Sequence, residues 1–124
     1  VNTKVLIVDD ELMVRYALKK ILQNLGLDVV EATDGREGEE VFDSHPDVGV
    51  VITDIIMPRQ EGIETIANMR RKRPSTKIIA ISGGGRIRSL DFLEIAKKAG
   101  ADAILAKPFT RADLQETLRS CGAL

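Results

Sequence analysis

Polar side chains of complementary chemistry stand at the ends of short apolar runs in this chain. Asp9 and Asp10 close the run 5–8, with Glu11 next, and Asp54 follows Thr53 at the end of the run 48–52. Ser82 closes the run 78–81, and Lys107 closes the run 103–106. If a fold gathers these ends, Asp9, Asp10 and Asp54 repel one another and raise one another's proton affinity. A hard divalent cation removes that conflict, and magnesium takes one or two carboxylates, a carbonyl and several waters. An anion beside Asp54 would then meet a metal, the Ser82 hydroxyl and the Lys107 ammonium together. Such a set suits phosphoryl transfer, which depends mainly on positioning and charge neutralisation. A carboxylate can itself be the nucleophile and form an aspartyl phosphate. Asp54 is the candidate because it ends a run read as a central strand; Asp9 and Asp10 are placed to hold metal. Lys107 would bind a phosphoryl oxygen as a point charge.

Each residue alone has an ordinary explanation. A single Asp at a strand end is commonly a turn or helix cap. Ser82 before Gly83-Gly84-Gly85 reads as a turn, and Lys107 as a solvated lysine before a proline that ends the strand. The combination shifts the balance, because four of five successive strand ends carry complementary chemistry for one anion.

The elements that must position these residues are legible in the pattern. Continuous β-rich runs at 5–8, 48–52, 78–81 and 103–106 fit strands buried on both faces. A fifth run, 27–32, carries Asp28 and Glu31 and reads as an edge strand. Between the runs, helical stripes form from Leu18, Ile21, Leu22 and Leu25; from Ile63, Ile66 and Ala67; from Leu90, Leu93 and Ala96; and from Leu114, Leu118 and Cys121. Gly26 and Gly100 stand where helices would stop, and Thr110 with Asp113 resembles an N-terminal cap. The segment 36–44 is the weakest helix, because Gly38 lowers its propensity. Strand and helix thus alternate five times, which predicts an α/β fold, a doubly wound parallel sheet with helices on both faces. The order 2-1-3-4-5 puts the polar-flanked strand on an edge and places a ligand site where the order reverses, between strands 1 and 3.

Composition narrows the function classes. The 124 residues suit a single domain, 1–124, and 44% hydrophobic with 30% charged is ordinary for a globular chain. A net charge of -1 and 3% aromatics argue against nucleic-acid contact through bulk charge or base stacking. No apolar run is long enough to suggest a membrane span, and none reads as a signal peptide. The lone Cys121 has no internal partner, which suggests a reducing compartment and a cytoplasmic protein. Arg70-Arg71-Lys72-Arg73 reads as a solvated helix end, His45 carries no assigned role, and Cys121 reads as packing.

At these spacings the chain resembles, over essentially its whole length, the receiver domain of two-component response regulators. The motifs are Val8-Asp9-Asp10-Glu11, Thr53-Asp54-Ile55-Ile56-Met57-Pro58, Glu61-Gly62, Ile81-Ser82-Gly83 and Lys107-Pro108-Phe109. The resemblance implies a flavodoxin-like (βα)5 fold and a phosphorylation-activated switch, primarily a signalling protein that catalyses its own phosphorylation and slow dephosphorylation. By it, Asp54 is the phosphoacceptor. Asp10, Asp54 and the backbone carbonyl of Ile56 ligate Mg2+, and Asp9 acts through a metal-bound water. Ser82 follows the phosphoryl group on activation, and Lys107, with a cis bond to Pro108, pairs with it. The implied donor is a phosphohistidine on a sensor histidine kinase or a histidine phosphotransfer protein, with a downstream protein target.

The chain departs from the family pattern at three places. Ile104 stands where many relatives carry an inward-turning Tyr or Phe, so any coupling runs without an aromatic switch. Ile56 and Gly84 stand where other side chains could orient an attacking water, so both should influence the lifetime of a phosphate on Asp54. Two other classes compete with the switch. A magnesium-dependent phosphohydrolase commonly has a second acid two residues after its nucleophile, where this chain has Ile56. An unphosphorylated interaction module would have no need of Asp10, Asp54, Ser82 and Lys107 together.

Overall fold

Successive side chains of a strand point to opposite faces, and here both faces find a core. In the computed structural model, which describes residues 3–55, 62–82 and 90–124, β1 (Lys4–Val8) sends Val5 and Ile7 to one core and Leu6 and Val8 to the other. β3 (Val48–Asp54) separates Val50 and Ile52 from Val51 in the same way. β4 (Lys77–Ser82) separates Ile79 and Ile81 from Ile78 and Ala80. With β2 (Asp28–Ala32) and β5 (Ala103–Ala106) they form one parallel sheet of five strands, ordered β2-β1-β3-β4-β5. The expected order is the observed one, with the polar-flanked strand on an edge.

Helices cover both faces. α1 (Leu12–Asn24) and α5 (Arg111–Ser120) close one core with Leu18, Leu22, Leu114 and Leu118. α2 (Gly35–Ser44), α3 (Gly62–Lys72) and α4 (Leu90–Ala99) close the other with Phe42, Ile66, Met69 and Ala96. Each large aliphatic or aromatic side chain buried this way contributes about 1.5–3 kcal/mol. No helix among the described residues is long and apolar enough to cross a membrane.

Local signals behave as the sequence predicts. Gly26 and Gly100 follow α1 and α4 with φ of 85° and 127°, which a side chain would strain. Thr110 and Asp113 form a reciprocal capping box at the start of α5. Gly38 has a packing reason that propensity does not reveal. A Cβ there would lie 2.9 Å from Val8 Cγ2, so its absence lets α2 approach β1 closely. In α3 the buried stripe is Thr65, Ile66 and Met69, with Ile63 only partly covered.

The run Arg70–Arg73 departs from a fully solvated helix end at Arg70 and Arg73. Arg70 donates from Nε to the Gly100 carbonyl at 3.1 Å, from Nη1 to the Thr76 carbonyl at 2.8 Å and from Nη2 to Asp102 Oδ2 at 2.5 Å. Arg73 donates to the carbonyls of Phe42, His45, Pro46 and Val48, and its guanidinium carbon sits 3.6 Å over the Phe42 ring. Lys72 pairs with Glu39 and Asp43. Arg70 and Arg73 thus tie α3 to the ends of neighbouring elements, whereas Arg71 and Lys72 are exposed. The planar five-donor fork of arginine is suited to gathering several carbonyls at once.

Candidate functional site

Register decides which side chains meet. Val8 pairs with Thr53, so the residues that follow them, Asp9 and Asp54, come level. Asp54 pairs with Ile81, and Ser82 with Ala106, so β4 and β5 end on the same edge and Lys107 follows directly. The expected gathering therefore occurs at the carboxyl ends of the strands. Asp9, Asp10, Glu11 and Asp54 each offer a carboxylate oxygen, all within 4.8 Å of one another. Asp9 is 1% exposed and Asp54 5%, whereas Asp10 and Glu11 face solvent.

Lys107 reaches into this group. Its Nζ lies 3.2 Å from Asp9 Oδ2, 3.3 Å from Asp54 Oδ2 and 3.4 Å from Glu11 Oε1. The peptide bond from Lys107 to Pro108 is cis. Burial pushes the Asp9 carboxyl above its ordinary range and the negative charge of Asp54 adds to this; the Glu11 amide and Lys107 pull the other way without cancelling it. Burial alone would lower the Lys107 ammonium, but the charges of Asp54 and Asp9 outweigh burial and hold it above its ordinary value.

The backbone beneath the acids is tightly held. The Glu11 amide donates to Asp9 Oδ1 at 2.8 Å, and Arg15 Nη1 donates to the Asp9 carbonyl at 2.8 Å. Thr53 Oγ1 donates to the Asp54 carbonyl at 3.0 Å. The Ile55 amide continues the ladder to Ile81, and the Gly62 amide donates to the Ile55 carbonyl. A Cβ on Gly62 would fall 2.1 Å from the Asp54 carbonyl oxygen, so only glycine lets α3 begin this close to the acceptor strand.

The donor set suits a hard cation. All four candidate ligands are carboxylate oxygens, two of the carboxylates are buried, and the Lys107 ammonium lies against three of the four acids. Burial is what chiefly raises Asp9, and an added divalent charge would offset the repulsion from Asp54 that adds to it. Asp9, Asp10, Asp54 and Lys107 are thus brought together as expected. Ser82 ends β4 at the right edge, but its side chain lies outside the described residues, as do Ile56 and Gly84. Ile104 lies within β5, opposite Ala80, and is partly covered. Sequence reasoning gave no role to the Glu11 carboxylate or to Arg15. A third consecutive acid after the apolar run was the available signal for Glu11; nothing local marked Arg15.

Comparison with known proteins agrees with this fold. A family model described as the response regulator receiver domain matches residues 5–119. The transcriptional regulatory protein PdtaR of Mycobacterium tuberculosis is 38% identical over 116 residues, covering 92% of this chain and 54% of PdtaR. The chain thus spans about half of that relative. The chemotaxis protein CheY of Thermotoga maritima is 39% identical over 117 residues, covering 93% of each chain. A crystal structure of a CheX-CheY-BeF3-Mg2+ complex from Borrelia burgdorferi superposes with a TM-score of 0.87 at 28% identity, covering 95% of this chain and 87% of the other.

Proposed function

The chain belongs to the response regulator receiver domain family of two-component signalling, and from that premise we propose that Asp54 is its phosphoacceptor and Mg2+ its cofactor. The observation that carries this reading is the meeting of Lys107 with Asp9, Glu11 and Asp54 at the ends of three strands. A cation shared among acids can be drawn onto a new anion placed beside Asp54.

In this reading Asp9, Asp10, Asp54 and the Ile56 carbonyl hold the metal. When bound, Mg2+ supplies neutralisation of the charge that builds where two anions approach. An Asp54 carboxylate oxygen attacks phosphorus, a P–O bond forms, the P–N bond of a phosphohistidine breaks, and the imidazole leaves with the bond's electron pair. Lys107 takes a phosphoryl oxygen as its point-charge partner. Ser82 follows the phosphoryl group and moves the end of β4, shifting a two-state equilibrium that a downstream protein reads. With Ile104 in place of an aromatic residue, that shift passes through the backbone of β4 and β5.

A protein donor suits the surroundings. Leu12, Met13 and Tyr16 are 67%, 74% and 56% exposed at the start of α1, beside the acids, and offer apolar area to a sensor histidine kinase or histidine phosphotransfer protein. The CheY of Borrelia burgdorferi, in its complex with BeF3 and Mg2+, supports the choice of metal and of a phosphoryl-like ligand. The reading takes residues 1–124 as one receiver unit, since a single sheet draws strands from Lys4 to Ala106. We place it in the cytoplasm, which suits an unbridged Cys121.

Incubation with acetyl phosphate and Mg2+, followed by intact mass measurement, tests the reading. The wild type should gain one phosphoryl group, and Asp54→Asn or added chelator should abolish the gain. Repeated turnover of varied phosphate esters would instead identify a phosphohydrolase.

A further inference from the structure

Asp9 has every polar group engaged. Its amide donates to the Ala32 carbonyl at 3.1 Å, and its Oδ1 accepts from the Glu11 amide at 2.8 Å. Its Oδ2 faces Lys107 at 3.2 Å, and its carbonyl accepts from Arg15 Nη1 at 2.8 Å. The last contact is the unusual one. Asp9 is buried, so its carbonyl needs a donor, and the donor is a guanidinium from the second turn of α1. Arg15 is itself held: its Nε lies 3.3 Å from Glu31 Oε1, and its side chain is only 13% exposed. Glu31 also pairs with Lys19 through its other oxygen. β2 therefore grips Asp9 twice, directly through Ala32 and indirectly through Glu31 and Arg15.

The Asp9 carbonyl belongs to the planar peptide unit that leads into Asp10. Fixing that carbonyl fixes the plane from which the Asp10 side chain departs. We propose that Arg15, oriented by Glu31, is a positioning residue of the metal site, setting the directions in which Asp9 and Asp10 present their carboxylates. The inference rests on the metal-site reading above and adds two residues to it. It differs in sign from a simple field effect. A guanidinium near a divalent site repels the ion, so a pure field effect means that removing Arg15 tightens Mg2+ binding and removing Glu31 weakens it. If Arg15 positions the acids, losing either residue weakens binding.

Calorimetric titration of Mg2+ into the unphosphorylated chain separates these cases. Arg15→Lys keeps the charge but cannot span both the Asp9 carbonyl and Glu31. It should weaken Mg2+ binding about tenfold, the scale on which groups supporting metal ligands act. Arg15→Gln should weaken it at least as much, and Glu31→Gln by about threefold. Lys19→Gln breaks the other Glu31 pair without touching Asp9 and should bind Mg2+ within about twofold of wild type. Wild-type affinity in Arg15→Lys, or tighter binding in Arg15→Gln, would overturn the inference. If Arg15→Gln does not fold, Arg15→Lys decides it, because it keeps the charge and a pure field effect would leave its Mg2+ affinity at the wild-type value. Failure of the wild type to bind Mg2+ would bring down the underlying reading, and the inference with it.

Discussion

The two ends of the sheet use charge in opposite ways. At the amino-terminal end, Arg70 and Arg73 are surrounded by carbonyl oxygens and Asp102, so each cation has several partners. At the carboxyl-terminal end the ratio inverts, and Lys107 serves three carboxylates. The first end is satisfied as it stands. The second carries an excess of like charge that burial makes costly, visible in the raised Asp9 carboxyl. A satisfied network stabilises, whereas an unbalanced one can bind something, and the difference locates the site without reference to any ligand.

The largest effect that would break this contrast is at the satisfied end. Arg73→Met keeps an apolar stem on Phe42 but removes the donor from four carbonyls. Losing partners at that many acceptors, some reached by water, should cost about 3 kcal/mol in denaturant unfolding. Mg2+ binding should stay within twofold on the order expected of distant, independent sites. Loss of Mg2+ binding at full stability would reverse the assignment of the two ends.

A smaller effect of opposite sign is expected at the site. Asp9→Asn removes a buried charge yet can keep the acceptor for the Glu11 amide. The metal-free protein should gain on the order of 1 kcal/mol near neutral pH, because the removed carboxylate is imperfectly compensated. The sign follows from linkage. Asp9 has a raised carboxyl in the fold, so the folded chain holds its proton where the unfolded chain has lost it. Stability of the wild type therefore falls as pH rises from the ordinary Asp value of about 3.9 through the raised one. Thermal melts across that window should show the fall in wild type and a shallower one in Asp9→Asn. Lys107 behaves differently: its raised value means its contribution is present below the ordinary Lys value of about 10.4 and is lost above it, as pH passes the folded value.

The smallest effect sharpens the comparison. Glu11 is mostly exposed, and its pair with Lys107 spans 3.4 Å. Glu11→Gln should change stability by less than about 0.5 kcal/mol. Removing one competitor for the Lys107 ammonium should raise the rate of phosphorylation by acetyl phosphate about twofold. A fall in that rate, with weaker Mg2+ binding, would make Glu11 a metal-holding acid instead.

Much of this molecule is legible before folding. Alternating strands and helices, the glycine stops and the Thr110 cap are local signals, carried by neighbours along the chain. They produced the sheet, its order and the meeting of Asp9, Asp10, Asp54 and Lys107. Within the charge run 70–73, Arg71 and Lys72 are exposed as expected, but Arg70 and Arg73 are drawn inward, because many of their acceptors lie on the α4–β5 and α2–β3 turns, far away in sequence. Gly38 looked like a weak point in a helix until its contact with Val8 showed why a side chain is excluded.

The sequence by itself determined which chemistries stand at the strand ends, because residue type and periodicity are properties of the chain. Only the tertiary structure decided that Glu11 shares Lys107, that Arg15 carries the Asp9 carbonyl, and that Arg70 and Arg73 are structural. Those facts depend on register and helix rotation across elements. A hydrogen bond forms only within a few tenths of an ångström of its proper length, and no pattern along one dimension specifies distance to that precision.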